Sequence, residues 1–235
     1  MGRGVRIHVR IDGRPDDPAV MLLHGYLGTG EAWVANVTPL IERGLRVIRP
    51  DHRGHGSSTH TADETAYTFN HLYLDTIALA DALDLEQFHL VGHSMGGLVA
   101  QLVAIRDPHR LHSLVLVDCS PLPGRAERRV FIWLRRVVGY RLGAGRLVRL
   151  LTPVLMRINV AAASGRSPAE RRAELAALAA SVDQLDPAAF VAFGERLVNH
   201  GDVRPQLPAV TTPTTVVVGQ NEIPKLRLGA EALVA

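Results

Sequence analysis

The stretch with the clearest chemical potential is Gly92-His93-Ser94-Met95-Gly96, a serine between glycines. It follows the apolar run 88–91 and precedes a helical pattern, the strand–turn–helix context in which a serine hydroxyl is lifted clear of a sheet. The backbone N–H of Met95 would lie at a helix N-terminus, where it can stabilise an oxyanion. The pattern predicts that Ser94 is a nucleophile; the alternative is an ordinary glycine turn.

Two further loops follow apolar runs in the same way. His24-Gly25-Tyr26-Leu27-Gly28 predicts a second oxyanion donor at the Tyr26 N–H, with His24 bracing the loop. The segment 51–58 contains an aspartate and two histidines, and its polar side chains are expected to brace the His-Gly loop. Its spacing does not match a helical pair of metal-ligating histidines, so we predict no metal site.

The elements that must position these loops follow from short apolar runs. Five of them are separated by helical patterns: 19–23, 45–48, 88–91, 114–117 and 215–218. Such runs are typical of parallel strands that are buried on both faces. The half-buried pattern at 5–11 adds one more strand. Helices are expected at 31–43, at 70–83 with Asn70 as N-cap, and between Ser94 and Pro108. The predicted fold class is α/β, a mostly parallel doubly wound sheet.

The region 121–201 interrupts this alternation with a purely helical pattern. Ser167-Pro168-Ala169-Glu170 predicts a helix start with a capping box. We therefore expect three parts: the first part of the core at 1–120, a helical cap at 121–201, and a return to the core at 202–235 with one more strand and a helix.

Composition limits the remaining classes of protein. The 235 residues are 47% hydrophobic and 21% charged, which excludes a disordered chain, and no apolar run reaches the roughly 18 residues of a membrane span. Cys119 is the only cysteine, so no internal disulfide or cysteine zinc cluster can form, and no signal core precedes the first strand. We expect a cytoplasmic protein. The net charge of +3 predicts no nucleic-acid partner.

Together these motifs resemble the α/β-hydrolase superfamily, in particular the esterase-type members with a helical cap. The matching segments are LLHGYLGTGEAW (22–33), RPDHRGHGSS (49–58), LVGHSMGG (90–97), LVLVDCSP (114–121) and PTTVVVGQNE (213–222). The resemblance implies a serine nucleophile at Ser94, oxyanion donors at Tyr26 and Met95, and no cofactor. Relatives with an aspartate nucleophile, the haloalkane dehalogenases and epoxide hydrolases, are disfavoured because position 94 is serine.

The acid of the implied catalytic triad has two candidates. The family usually places an aspartate after the strand that follows the cap, and this chain has Glu222 there. Some members take the acid from the end of the strand before the cap, where this chain has Asp118. Both residues stay open as the acid.

The general base is the residue that the pattern lacks. The family order is serine, acid, histidine. Thirteen residues follow Glu222 without a histidine, and His200 is the last one in the sequence. We expect impaired activity of the 235 residues, with the final strand and helix of the usual fold absent. Rescue by His200 or by a loop histidine is the alternative.

The predicted activity is hydrolysis of a carboxylic ester or thioester through an acyl-Ser94 intermediate. Phe131 and Trp133 in the cap favour a small-molecule substrate with an apolar group. A C–C bond hydrolase or an acyltransferase would use the same motifs. The missing histidine fits either a truncated active hydrolase or a non-catalytic protein that binds a small ligand. Arginines between 125 and 157 suggest membrane-surface contact as a less favoured alternative. No pattern specifies an oligomeric state.

Overall fold

The fold is built around one twisted sheet. The computed structural model describes residues 4–119, 146, 167–199, 203–220, 228, 230, 231 and 233. In these residues six strands form the sheet: β1 (Val9–Asp12), β2 (Ala19–Leu23), β3 (Arg46–Pro50), β4 (Phe88–His93), β5 (Leu111–Val117) and β6 (Thr214–Val217). Their order is β1-β3-β2-β4-β5-β6. Only β1 runs antiparallel to its neighbour, which confirms the predicted mostly parallel α/β sheet.

The strands lie close to the predicted runs, with one clear difference at the N-terminus. β2 is buried along its whole length, as its uninterrupted apolar pattern requires. The strand predicted at 5–11 is paired only from Val9, because β3 ends at Pro50. The preceding residues bond instead to the loop after β3, where the His8 N–H donates to Ser58 Oγ at 2.9 Å.

Helices cover both faces of the sheet. The described helices are α1 (Val34–Ile41), α2 (Phe69–Ala82), α3 (Met95–Arg106), α4 (Pro168–Asp183) and α5 (Pro187–Asn199). α1, preceded by the 3-10 turn Gly30–Trp33, packs on one face around Val20, Leu22 and Val47. α2 and α3 contribute to the larger apolar core on the other face. The arrangement is doubly wound, as predicted.

Two predicted helix starts have different outcomes. The N-cap of α2 is Thr68 and not Asn70, because the Thr68 side chain accepts the His71 N–H at 3.0 Å. The capping box of α4 is confirmed: Ser167 Oγ accepts the Glu170 N–H at 3.2 Å, and Glu170 Oε2 accepts the Ser167 N–H at 2.6 Å.

The described part of the predicted cap is the helix pair α4 and α5. Residues 188–193 of α5 are buried against the core. No single helix in the described ranges is long and apolar enough to cross a membrane; α4 and α5 pass that test only as a pair bent by 114°. The proposed boundaries at 120 and 201 stay a prediction.

Candidate active site

The three predicted loops meet at one edge of the sheet. β2, β3 and β4 are parallel neighbours, so their carboxyl ends lie together, and each is followed by one of the loops. In open α/β sheets this edge is where ligands bind. The topology therefore brings Tyr26, the 51–58 loop and Ser94 to the same side of the molecule.

Ser94 occupies the sharp turn between β4 and α3. Its φ of 52° and ψ of −111° are unusual for a residue with a side chain. Its N–H donates to the Val117 carbonyl at 2.9 Å, which ties the turn to β5. The Ser94 side chain makes no capping hydrogen bond to α3, so its hydroxyl is not used to cap that helix. Strain of this kind is often found at functional sites.

Close backbone approach fixes the turn against its neighbour. A Cβ on Gly96 would lie 2.4 Å from the Leu23 carbonyl oxygen and 2.7 Å from that of His24. Only glycine allows the first turn of α3 to approach the end of β2 so closely. A Cβ on Gly25 would lie 3.4 Å from the Cβ of Ser94. The His-Gly loop is therefore in direct contact with the serine turn.

The two predicted oxyanion donors are adjacent to this contact. Met95 is the first residue of α3, and a first-turn N–H has no partner within its own helix. Tyr26 follows Gly25 in a turn that the Gly28 N–H closes by donating to the Gly25 carbonyl at 3.1 Å. The positions fit the prediction, while the roles of both N–H groups remain proposals.

His24 braces the loop, as expected from the sequence. Its Nδ1–H donates to the Gly25 carbonyl at 2.8 Å, and its Nε2 accepts the His52 N–H at 3.0 Å. Burial lowers the pKa of His24 to about 4, so the ring is neutral near pH 7. Asp51 adds a second brace, since its Oδ1 accepts the Gly30 N–H at 2.8 Å.

The buried rings of His24, His52 and His55 form a cluster, with centroids 4.3 to 6.2 Å apart. Desolvation lowers the pKa of His52 and of His55 well below the ordinary value. In the described ranges, no group of histidine, cysteine and carboxylate side chains has an arrangement that could hold a metal ion. His93 lies elsewhere, against Gly25 and with its ring edge-on to Trp33.

Of the two acid candidates, the structure describes one. Asp118 lies at the end of β5, next to the strand that leads to Ser94, and has a φ of 45°. Its N–H donates to the Val217 carbonyl at 2.9 Å, and its Oδ1 accepts the Gly219 N–H at 2.9 Å. These bonds give Asp118 a structural role at least. Glu222 and His200 lie outside the described residues.

α5, in the region predicted to be the cap, packs against these loops. The Phe193 ring packs 5.7 Å from His55 and 5.5 Å from Tyr67. The Tyr67 hydroxyl donates to Asp186 Oδ2 at 3.0 Å, and the Tyr26 hydroxyl donates to a backbone carbonyl of α5. Sequence reasoning missed Asp186 and these contacts, because more than 100 residues separate the partners and no local pattern marks them.

Comparison with known proteins agrees with the fold. A family model described as alpha/beta hydrolase fold matches residues 18–222. The chain belongs to this family. A crystal structure of a hydrolase from Pseudomonas aeruginosa covers 99% of this chain, which covers 83% of that one, with 25% identity and a TM-score of 0.80.

Two curated relatives match the chain over shorter segments. The protein named "Putative carbamate hydrolase RutD" of Variovorax paradoxus is 36% identical over 125 residues, 53% of this chain and 47% of that protein. An epoxide hydrolase of Caballeronia sordidicola is 35% identical over 132 residues, 56% of this chain and 39% of that protein. In these matches the chain spans less than half the length of either relative.

Proposed function

We propose that this hydrolase acts on a carboxylic ester or thioester through an acyl-Ser94 intermediate. The observation that carries the proposal is the strained turn at Ser94, with its hydroxyl unused by α3. Ser94 Oγ attacks the acyl carbon, and the bond to the alcohol or thiol breaks. The serine proton leaves through a base to the departing group. Water then releases the acid and restores the hydroxyl.

The negative charge that develops on the acyl oxygen needs hydrogen-bond donors. The Met95 N–H is suited to this role because it lies at the N-terminus of a helix of 12 residues. The Tyr26 N–H is the second donor in the proposal, supported by the contact of Gly25 with the serine turn. One such donor contributes on the order of 10²–10³-fold to turnover in a serine hydrolase.

The type of nucleophile separates the reactions that the relatives' names suggest. The family resemblance implies an aspartate nucleophile for epoxide opening, whereas position 94 is serine. A carbamate, like an ester, has an acyl carbon that a serine hydroxyl can attack. We therefore favour acyl compounds over epoxides as substrates. Among acyl compounds, we favour a small molecule with an apolar acyl group.

The general base decides the rate of the proposed reaction. No histidine follows Glu222 in these 235 residues. In a serine protease, loss of the catalytic histidine costs about 10⁶-fold in turnover, roughly 8 kcal/mol of barrier. The 235-residue polypeptide is therefore expected to acylate slowly. Imidazole added to the buffer can take the serine proton and should accelerate the step.

The test is acylation of the protein by 4-nitrophenyl butyrate in imidazole buffer, followed by intact mass and peptide mapping. The parent should gain one butyryl group on Ser94, and Ser94→Ala should gain none at that peptide. Ser57→Ala, which alters an exposed serine, is the matched control and should acylate like the parent. Labelling that does not depend on residue 94 would refute the proposal and favour a non-catalytic ligand-binding protein.

A further inference from the structure

Tyr26 connects the loop beside Ser94 to the cap. We propose that its side chain is a positioning residue: by binding α5, it holds the His-Gly loop so that the oxyanion-stabilising N–H stays in place. The inference rests on the proposed function, because it concerns the oxyanion donor for acyl transfer to Ser94. It adds a contact with α5 that positions that donor.

The contact combines a polar bond with ring packing. The Tyr26 hydroxyl donates to the backbone carbonyl of Phe190, the fourth residue of α5. The two aromatic rings stack with centroids 6.0 Å apart and planes inclined by 21°. Phe190 is 5% exposed, so its ring is fixed by the surrounding core. The loop residue is thus tied to the cap through both its hydroxyl and its ring.

The loop needs outside support because its own backbone is strained. Leu27 has a φ of 71° at the third position of the turn that the Gly28 N–H closes onto Gly25. Turns with a positive φ at this position favour glycine, and a leucine there is held only if neighbouring contacts offset the cost. The Tyr26–Phe190 contact lies one residue before the strain. Loss of that contact is therefore expected to release the loop.

A second tyrosine provides a matched comparison. Tyr67 also joins the core to the cap through its hydroxyl, which donates to Asp186 Oδ2 at 3.0 Å and accepts the Thr61 N–H at 2.7 Å. Tyr67 lies in the segment after β3, away from the His-Gly loop in sequence, and Asp186 precedes α5. Both tyrosines anchor the cap, but only Tyr26 belongs to the loop with the proposed donor.

The experiment compares Tyr26→Phe with Tyr67→Phe, each of which removes one hydroxyl and keeps the ring. Thermal unfolding first establishes that both variants fold. The rate of Ser94 butyrylation in imidazole buffer is expected to fall about tenfold in Tyr26→Phe, a fraction of the loss from removing an oxyanion donor, and to stay within about twofold of the parent in Tyr67→Phe. Hydrogen exchange of the peptide 24–30 should accelerate only in Tyr26→Phe.

Two results would overturn the inference. One is a Tyr26→Phe protein that acylates at the parent rate with unchanged exchange in 24–30. The other is equal slowing and equal exchange in both variants, because the hydroxyl would then contribute only to cap stability. If the parent itself is not acylated at Ser94, the proposed function fails, and hydrogen exchange alone decides whether Tyr26 holds the loop.

Discussion

Two neighbouring regions at the same edge of the sheet are held in place by different physics. The turn at Ser94 depends on missing side chains, since Gly96 lets α3 approach the end of β2 to a distance that no Cβ would allow. The loop after β3 depends on buried polar groups. Asp51 is 1% exposed, and His52 and His55 are 4% and 1% exposed.

The difference indicates how each region responds to change. A backbone contact built on glycine tolerates no added atom, but it does not depend on pH. A buried polar network is stable only while its side chains keep the correct charge and hydrogen bonds, because an unpaired buried polar group costs free energy. Added side-chain atoms should therefore destabilise the turn at Ser94, whereas a change in pH should destabilise the loop after β3.

The largest effect is expected from Gly96→Ala. The new methyl would meet two backbone oxygens that cannot move aside, so we expect the free energy of unfolding to fall by about 3 kcal/mol or more. Urea unfolding at pH 7.5 measures it. Gly44→Ala is the control, because Gly44 has open space around its Cα but a φ of 73°. Gly96 itself has no positive φ, so a loss in Gly96→Ala no larger than that in Gly44→Ala would mean that the close backbone contact does not carry the cost.

Acid should act on the histidine cluster instead. The folded state holds the pKa of His24 at about 4, below the ordinary 6.5, so below pH 6.5 the unfolded chain binds more protons. The stability is fully present above about pH 6.5 and is lost progressively as the pH falls towards 4. The pKa of His52 and of His55 is shifted the same way, so the loss is on the order of 1 kcal/mol per pH unit for each ring.

Urea unfolding at pH 7.5 and 5.5 checks this dependence. His55→Asn should weaken the dependence on pH, whereas His109→Asn, which alters an exposed histidine, should leave it unchanged. A parent protein with the same free energy of unfolding at both pH values would contradict the assignment of these rings as buried and neutral.

The smallest effect is expected at Asp118, which follows the end of β5 at the same edge of the sheet. Asp118 has a positive φ like Ser94, but hydrogen bonds to the β6 side hold it. Asp118→Ala should lose about 1 kcal/mol of unfolding free energy, because the Gly219 N–H loses its acceptor. Asp118→Asn keeps an acceptor oxygen and should stay close to the parent in urea unfolding. If Asp118→Asn lost as much unfolding free energy as Asp118→Ala, the charge of the carboxylate and not its hydrogen bond would stabilise this strand end.

The sequence by itself determined the elements and the position of the sharp turn at Ser94. Uninterrupted apolar runs such as 19–23 and the glycines around Ser94 are local signals, because burial on both faces and a sharp turn each restrict the residues at one place in the chain. The capping box at Ser167 is local in the same sense. The N-cap of α2 was wrong by two residues, because Thr68 and Asn70 are both suitable capping residues.

Only the tertiary structure decided which side chains support the site. The Tyr26–Phe190 contact joins residues 164 positions apart, and the Tyr67–Asp186 bond joins residues 119 positions apart. Neither pair has a periodicity or spacing that a single sequence displays. Such contacts arise when the cap packs onto the sheet edge, so the packing of distant segments, and not the local pattern of either one, defines them.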